Sequence, residues 1–189
     1  MTPADRLHAL LAASGRPHAV LDHAEAVSGR DAAAARGTPL GIGGKSLVLK
    51  IDRVGLAVLV VGSDRRVDGR ALRKALGVQR YRFLAADELE ALVGLSPGAV
   101  PPFGRPVVDA TLFVGEDLLT REEIAFAAAS RTRSIRMATA DWRAVAQPTV
   151  VPSFTVADTP LSETPLSDTP LSDTPDADDR QPPGSEGGG

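Results

Sequence analysis

Cysteine is absent from this 189-residue chain. That excludes disulfides, thiolate nucleophiles and every zinc site built on cysteine. Aromatic residues make up only 4% of the chain against 43% hydrophobic residues overall, so a core has to be assembled from Ala, Val and Leu. No long apolar run occurs. The longest, Leu56-Ala57-Val58-Leu59-Val60-Val61, falls far short of the roughly 20 residues that a membrane-crossing helix needs. The opening residues, Met1-Thr2-Pro3-Ala4-Asp5, carry neither the basic nor the apolar stretch of a secretory signal. The three histidines, His8, His18 and His23, have no acid at helical ligand spacing, so neither a metal nor a cofactor is expected. A Gly-x-Ser-x-Gly nucleophile turn is also missing. These absences describe a protein of the reducing cytoplasm with no membrane attachment, and a monomer is the default expectation.

What is present is unevenly distributed. The net charge of −3 conceals eight acids and a single base, Arg180, after residue 150, which leaves 20 basic and 16 acidic residues before it, a net of +4. A mildly basic folded part suits a nucleic-acid ligand without requiring one. The boundary falls near Val151. Beyond it, Thr-Pro-Leu-Ser-(Glu/Asp) repeats from Thr159 to Asp173 and an acidic Pro/Gly-rich end follows. Proline every fifth residue blocks helix and sheet alike, and so few large apolar groups cannot repay the ordering entropy. The expected organisation is one domain over 1–151 and a disordered, solubilising acidic tail over 152–189.

Within 1–150 helical and strand patterns alternate. Thr2 caps a first helix with Pro3 at its start and Leu7, Leu10 and Leu11 on one face, and Gly15 ends it. A short strand at 19–21 precedes a helix capped by Ser28 and closed at Gly37. Strands at 46–51 and 56–61, joined by a turn at Arg53-Val54-Gly55, read as a hairpin. Further helices are predicted at 70–76 and 87–93, the second with Leu89, Leu92 and Val93 facing inward. Strands are predicted at 81–84, 107–109, 124–128 and 134–137, and Thr139 is expected to cap a last helix containing Trp142. Residues 94–106 hold four prolines and three glycines and must be a loop. The local hairpin argues for an α/β (α+β) fold with a mixed sheet.

Gly41-Ile42-Gly43-Gly44-Lys45-Ser46 is the most conspicuous chemical motif. A nucleotide-triphosphatase phosphate loop would need Gly six positions before the lysine, where this chain has Pro39, and a helix after it, where this chain has a strand. That reading fails. By itself Lys45 then reads as a solvated cation at a strand start. The second glycine-rich loop, Gly94-Leu95-Ser96-Pro97-Gly98 with Val100-Pro101-Pro102-Phe103-Gly104, is stiff enough to hold main-chain groups against a ligand, or simply to serve as a rigid crossover.

Taken together, these segments resemble the YbaK/prolyl-tRNA-synthetase-associated editing family of aminoacyl-tRNA deacylases. The landmarks run from about His18 to Val145: Val20-Leu21-Asp22-His23 leading to Ser28, Lys45-Ser46-Leu47-Val48-Leu49-Lys50, residues 68–77, the second glycine-rich loop, Phe126-Ala127-Ala128-Ala129-Ser130 and Ile135-Arg136-Met137. The resemblance implies a mixed, partly curled sheet flanked by helices, and hydrolysis of the ester joining an amino acid to the terminal ribose of tRNA. It assigns the functional role to Lys45, which holds the substrate rather than attacking it. Substrate contacts fall to His23, Ser28, Gly94, Gly98, Pro101, Phe103, Gly104 and Ser130, with the substrate's own ribose hydroxyl assisting. Ser28 reads equally as a helix cap, and His23 as an ordinary hydrogen-bonded histidine. Ala129 stands where the family carries glycine, which is expected to narrow that edge of the pocket. The partners implied are the 3′ end of aminoacyl-tRNA, tRNA(Pro) carrying a small amino acid first among them, and prolyl-tRNA synthetase as a docking partner. A non-catalytic module that recognises tRNA ends or a synthetase is the alternative.

Overall fold

Residues 55–63 set the plan of the molecule. The strand β3 (Gly55–Gly62) is buried from Ala57 to its end, as a strand is when both faces of its sheet are covered. Because successive side chains point to opposite faces, Val58 and Val60 enter one apolar cluster while Ala57, Leu59 and Val61 enter another. The computed structural model describes residues 1–158.

In chain order these residues form helix α1 (Pro3–Ser14), strand β1 (His18–Asp22), α2 (Gly29–Arg36), β2 (Gly44–Ile51), β3, β4 (Arg65–Val67), α3 (Gly69–Leu76), β5 (Tyr81–Phe83), α4 (Ala86–Val93), β6 (Thr111–Gly115), β7 (Glu123–Ala127), β8 (Arg133–Ala138), α5 (Thr139–Ala146), β9 (Thr149–Val151) and β10 (Thr155–Ala157). The main sheet has the order β5-β2-β3-β6-β9. Its β2–β3 and β2–β5 pairs are antiparallel and its β3–β6 and β6–β9 pairs parallel. It is therefore mixed, as the hairpin predicted. A second, antiparallel sheet β1-β8-β7 meets it through a single bridge, Gly43 to Ala125. The first cluster gathers Leu7 and Leu11 of α1, Trp142 of α5, Phe103 and Phe126, and the second gathers Leu72 of α3 and Phe154.

Helix starts follow the predicted caps at Thr2 and Ser28. Ser28 Oγ accepts from the Asp31 N–H at 3.0 Å and donates to the Asp31 carboxylate at 2.7 Å. Four readings need correction. Residues 107–109 are turn, not strand: the Val107 and Val108 N–H groups both donate to the Gly104 carbonyl, and the strand comes later, as β6. Leu92 is 57% exposed and does not face inward; Leu89 and Val93, four apart, take the inner face instead. Thr139 does not cap α5, because Ala138 holds the cap position and the Thr139 hydroxyl is buried without a partner. The domain boundary lies beyond Val151. Phe154 is fully buried and β10 pairs with β4, so residues 152–158 belong to the folded unit. The remainder of the expected tail lies outside the described residues.

Candidate functional site

The cleft arises where one strand outruns its neighbour. β5 covers β2 only from Leu49 to Ile51, and the last contact on that side is the Leu84 N–H donating to the Val48 carbonyl at 3.0 Å. Alternation along an antiparallel strand then turns the N–H and C=O of Ser46 to the same, uncovered edge. A cleft of about 420 Å³ opens there, lined by residues 44–48, by α2 from Gly29 to Arg36, by the Pro97-Gly98 turn and by the end of the second sheet. Its volume is in the range of small-ligand sites.

Lys45 stands on this edge, half-buried, and its Nζ donates to the Arg65 carbonyl of β4 at 2.6 Å. Burial lowers its pKa below the ordinary lysine value, opposed by the more distant carboxylates of Asp158 and Asp64. No carboxylate pairs with it directly among the described residues.

A hydrogen-bonded chain forms part of the cleft wall. His23 Nδ1 lies 2.7 Å from the Ala24 carbonyl and Nε2 lies 2.8 Å from Ser134 Oγ. A carbonyl can only accept, so Nδ1 carries a proton, and in the neutral ring Nε2 then accepts from the Ser134 hydroxyl. Arg36 Nη1 donates to the same Ser134 oxygen at 3.1 Å. Burial also lowers the Arg36 pKa. Among the described residues the cleft lining thus contains Arg36, Lys45 and Arg131 and no carboxylate, and of the three only Arg131 has an acid partner there, Glu25, at 3.2 Å.

The cleft brings together Lys45, His23, Ser28, Gly98 and Ser130. Gly98 holds φ +86°, and a Cβ there would sit 2.7 Å from the Val27 carbonyl oxygen, so the turn lies directly on the loop before α2 as only glycine allows. Gly94, Pro101, Phe103 and Gly104 do not line the cleft. Gly94 closes α4 in the left-handed conformation. Pro101 is buried, and Phe103 packs edge-on against Phe126 with ring centroids 5.6 Å apart. Gly104 lies against the Ala110 carbonyl, 2.7 Å from where its Cβ would be. The second half of the loop serves the core. Ala129 holds φ +56°, a conformation that favours glycine and costs a residue with a Cβ about 1 kcal/mol; its side chain is not part of the lining. Arg36 and Ser134 were not singled out from the sequence, where they stand 98 residues apart.

Chemically, such a cleft can bind an anion and polarise a carbonyl, but among the described residues it holds no carboxylate to act as general base. Among the described residues no group of His, Asp and Glu could hold a metal ion, and no helix is long and apolar enough to cross a membrane. The model of the aminoacyl-tRNA editing domain matches residues 23–145. The chain belongs to this family. As an editing protein it is an aminoacyl-tRNA deacylase, a hydrolase of the ester between amino acid and tRNA. Among its relatives is the multifunctional Ser/Thr-tRNA deacylase ProXp-y of Escherichia coli, in strains K12 and O157:H7, 35% identical over 155 residues that span 77% of this chain and 89% of the relative. The editing fold is also that of a crystal structure described as a candidate trans-editing enzyme for prolyl tRNA synthetase, with TM-score 0.67, 24% identity, and 81% of this chain and 98% of the other covered.

Proposed function

We propose that this deacylase acts in trans on tRNA(Pro) carrying a small amino acid, with serine and threonine the first candidates, and that Lys45 is the side chain on which the reaction most depends. The observation that carries the reading is a half-buried, carboxylate-free cation on an uncovered strand edge. An aminoacyl ester is already activated, so hydrolysis needs positioning and stabilisation of a developing oxyanion more than a strong nucleophile. Lys45 supplies the charge, and the Ser46 edge and the Gly98 turn supply fixed main-chain groups. With His23 Nε2 already occupied by the Ser134 hydroxyl, no free base lines the cleft among the described residues, which leaves a relay through the substrate's own ribose hydroxyl: it takes the proton of the attacking water as it gives its own to the departing ester oxygen of the ribose. Phe83 and Val27, 44% and 54% exposed at the lining, offer an apolar face of the kind on which terminal bases stack.

The serine and threonine assignment rests on the activity named for the Escherichia coli relative, and tRNA(Pro) on the prolyl-tRNA synthetase link of the structural neighbour. The same link supports docking onto that synthetase, in the cytoplasm where aminoacylation takes place. The test is a deacylation panel of Ser, Thr, Ala, Cys and Pro on tRNA(Pro). Ser- and Thr-tRNA(Pro) should be cleaved well above the buffer rate and Pro-tRNA(Pro) spared. No acceleration for any of them would overturn the tRNA(Pro) assignment.

A further inference from the structure

The deacylation chemistry above leaves two cations of the cleft unused: Arg131 is paired with Glu25 and held to the Pro97 carbonyl, whereas Arg36 has no acid partner among the described residues. It sits in the last turn of α2, where any basic side chain is favoured by the helix dipole. An arginine serving only that purpose would extend into water. This one turns inward instead, is half-buried and lines the cleft. Its Nη1 donates to Ser134 Oγ at 3.1 Å and its Nε to Thr38 Oγ1 at 3.4 Å. Both partners are neutral hydroxyls. Among the described residues no carboxylate lies within ion-pair distance of the guanidinium and Nη2 has no protein partner.

Removing a guanidinium from water without a counter-charge is costly. The cost is compounded by committing a 1% exposed serine, itself tied to His23, to fixing its orientation. An arginine held rigid and uncompensated on a cleft wall, with a planar donor edge left open, is the arrangement that recognises phosphate. It lies in the same cleft as Lys45, whose place is with the ester.

We propose that Arg36 is the receptor for a phosphodiester of the substrate's 3′-terminal nucleotides, oriented for that role by Ser134 and Thr38. The proposal rests on the deacylase reading in that both need a tRNA end in this cleft. The division of labour is then spatial: Lys45 serves the reacting end and Arg36 fixes how deep the strand enters.

The phosphate can be separated from the ester by experiment. Binding of the deacylated trinucleotide CCA and of adenosine, which has no phosphate, is titrated into the full chain as wild type, Arg36→Gln and Arg36→Lys, with thermal melting of each protein alongside. The expected result is that Arg36→Gln weakens CCA binding by about ten- to a hundredfold and leaves adenosine binding unchanged. The slope of log affinity against log salt should become shallower by roughly 0.7, the value for one contact to a single strand. Arg36→Lys should recover part of the affinity. The proposal is overturned if wild type binds CCA no more tightly than adenosine, if Arg36→Gln weakens both ligands equally, or if it weakens neither. These outcomes involve no turnover. A protein that binds CCA through Arg36 yet leaves every aminoacyl-tRNA(Pro) intact would sink the tRNA(Pro) assignment alone.

Discussion

Ser134 donates to His23 at 2.8 Å and accepts from Arg36 at 3.1 Å on one hydroxyl. The first distance is what a serine nucleophile and its base would show. Two features argue for a positioning role. The residue is 1% exposed, and an oxygen that already accepts from a guanidinium is a poorer nucleophile. Ser134→Ala is therefore expected to lower kcat for deacylation by less than about tenfold, with the larger change in KM, whereas loss of a true nucleophile would cost at least about a thousandfold. Steady-state kinetics on the cleaved aminoacyl-tRNA decides between them. This network could not be read in advance. His23 was visible as a family position, but its partner lies 111 residues away, and no spacing rule shows that β8 pairs with β1 in the register that sets Ser134 opposite Leu21.

At the scale of elements, the glycine-rich loop divides in two. Its stiffness was legible from four prolines and three glycines, but stiffness has no direction. Only the Pro97-Gly98 turn and Val100 reach the cleft, because Phe103, Val107 and Val108 are apolar and are drawn into the main cluster. Hydrophobic burial, not the ligand, shapes the second half. Gly98→Ala combines a positive φ with a Cβ 2.7 Å from the Val27 carbonyl, so it should destabilise the fold by about 1–3 kcal/mol and push Val27 off the cleft mouth. Urea unfolding and kcat/KM should both fall; an unchanged midpoint with unchanged activity would refute this account of the turn. Capped helices and the β2–β3 hairpin were legible because Thr2, Ser28 and the 46–61 pattern act locally. β6 was not, since its register comes from pairing in parallel with β3 across the sheet.

For the molecule as a whole, two cores flank one sheet, and the second is sealed by residues that composition alone assigns to a tail. Phe154 is fully buried there, its carbonyl accepts from the Asp68 N–H, and β10 beyond it pairs with β4. β4 in turn presents the Arg65 carbonyl that holds Lys45. Isolated in a polar, proline-bearing context, one phenylalanine gives no periodic signal, which is why composition places the boundary too early. Phe154→Ala should cost about 3–5 kcal/mol of stability, read by chemical denaturation; a change below about 1 kcal/mol would show that these residues do not close the second core. The central claim concerns the lysine that this scaffold positions. Single-turnover deacylation of Ser-tRNA(Pro) by wild type and Lys45→Ala, with equal melting temperatures, tests it most directly. The account predicts a rate lower by about a hundredfold or more without the ammonium, and equal rates for the two proteins would contradict it.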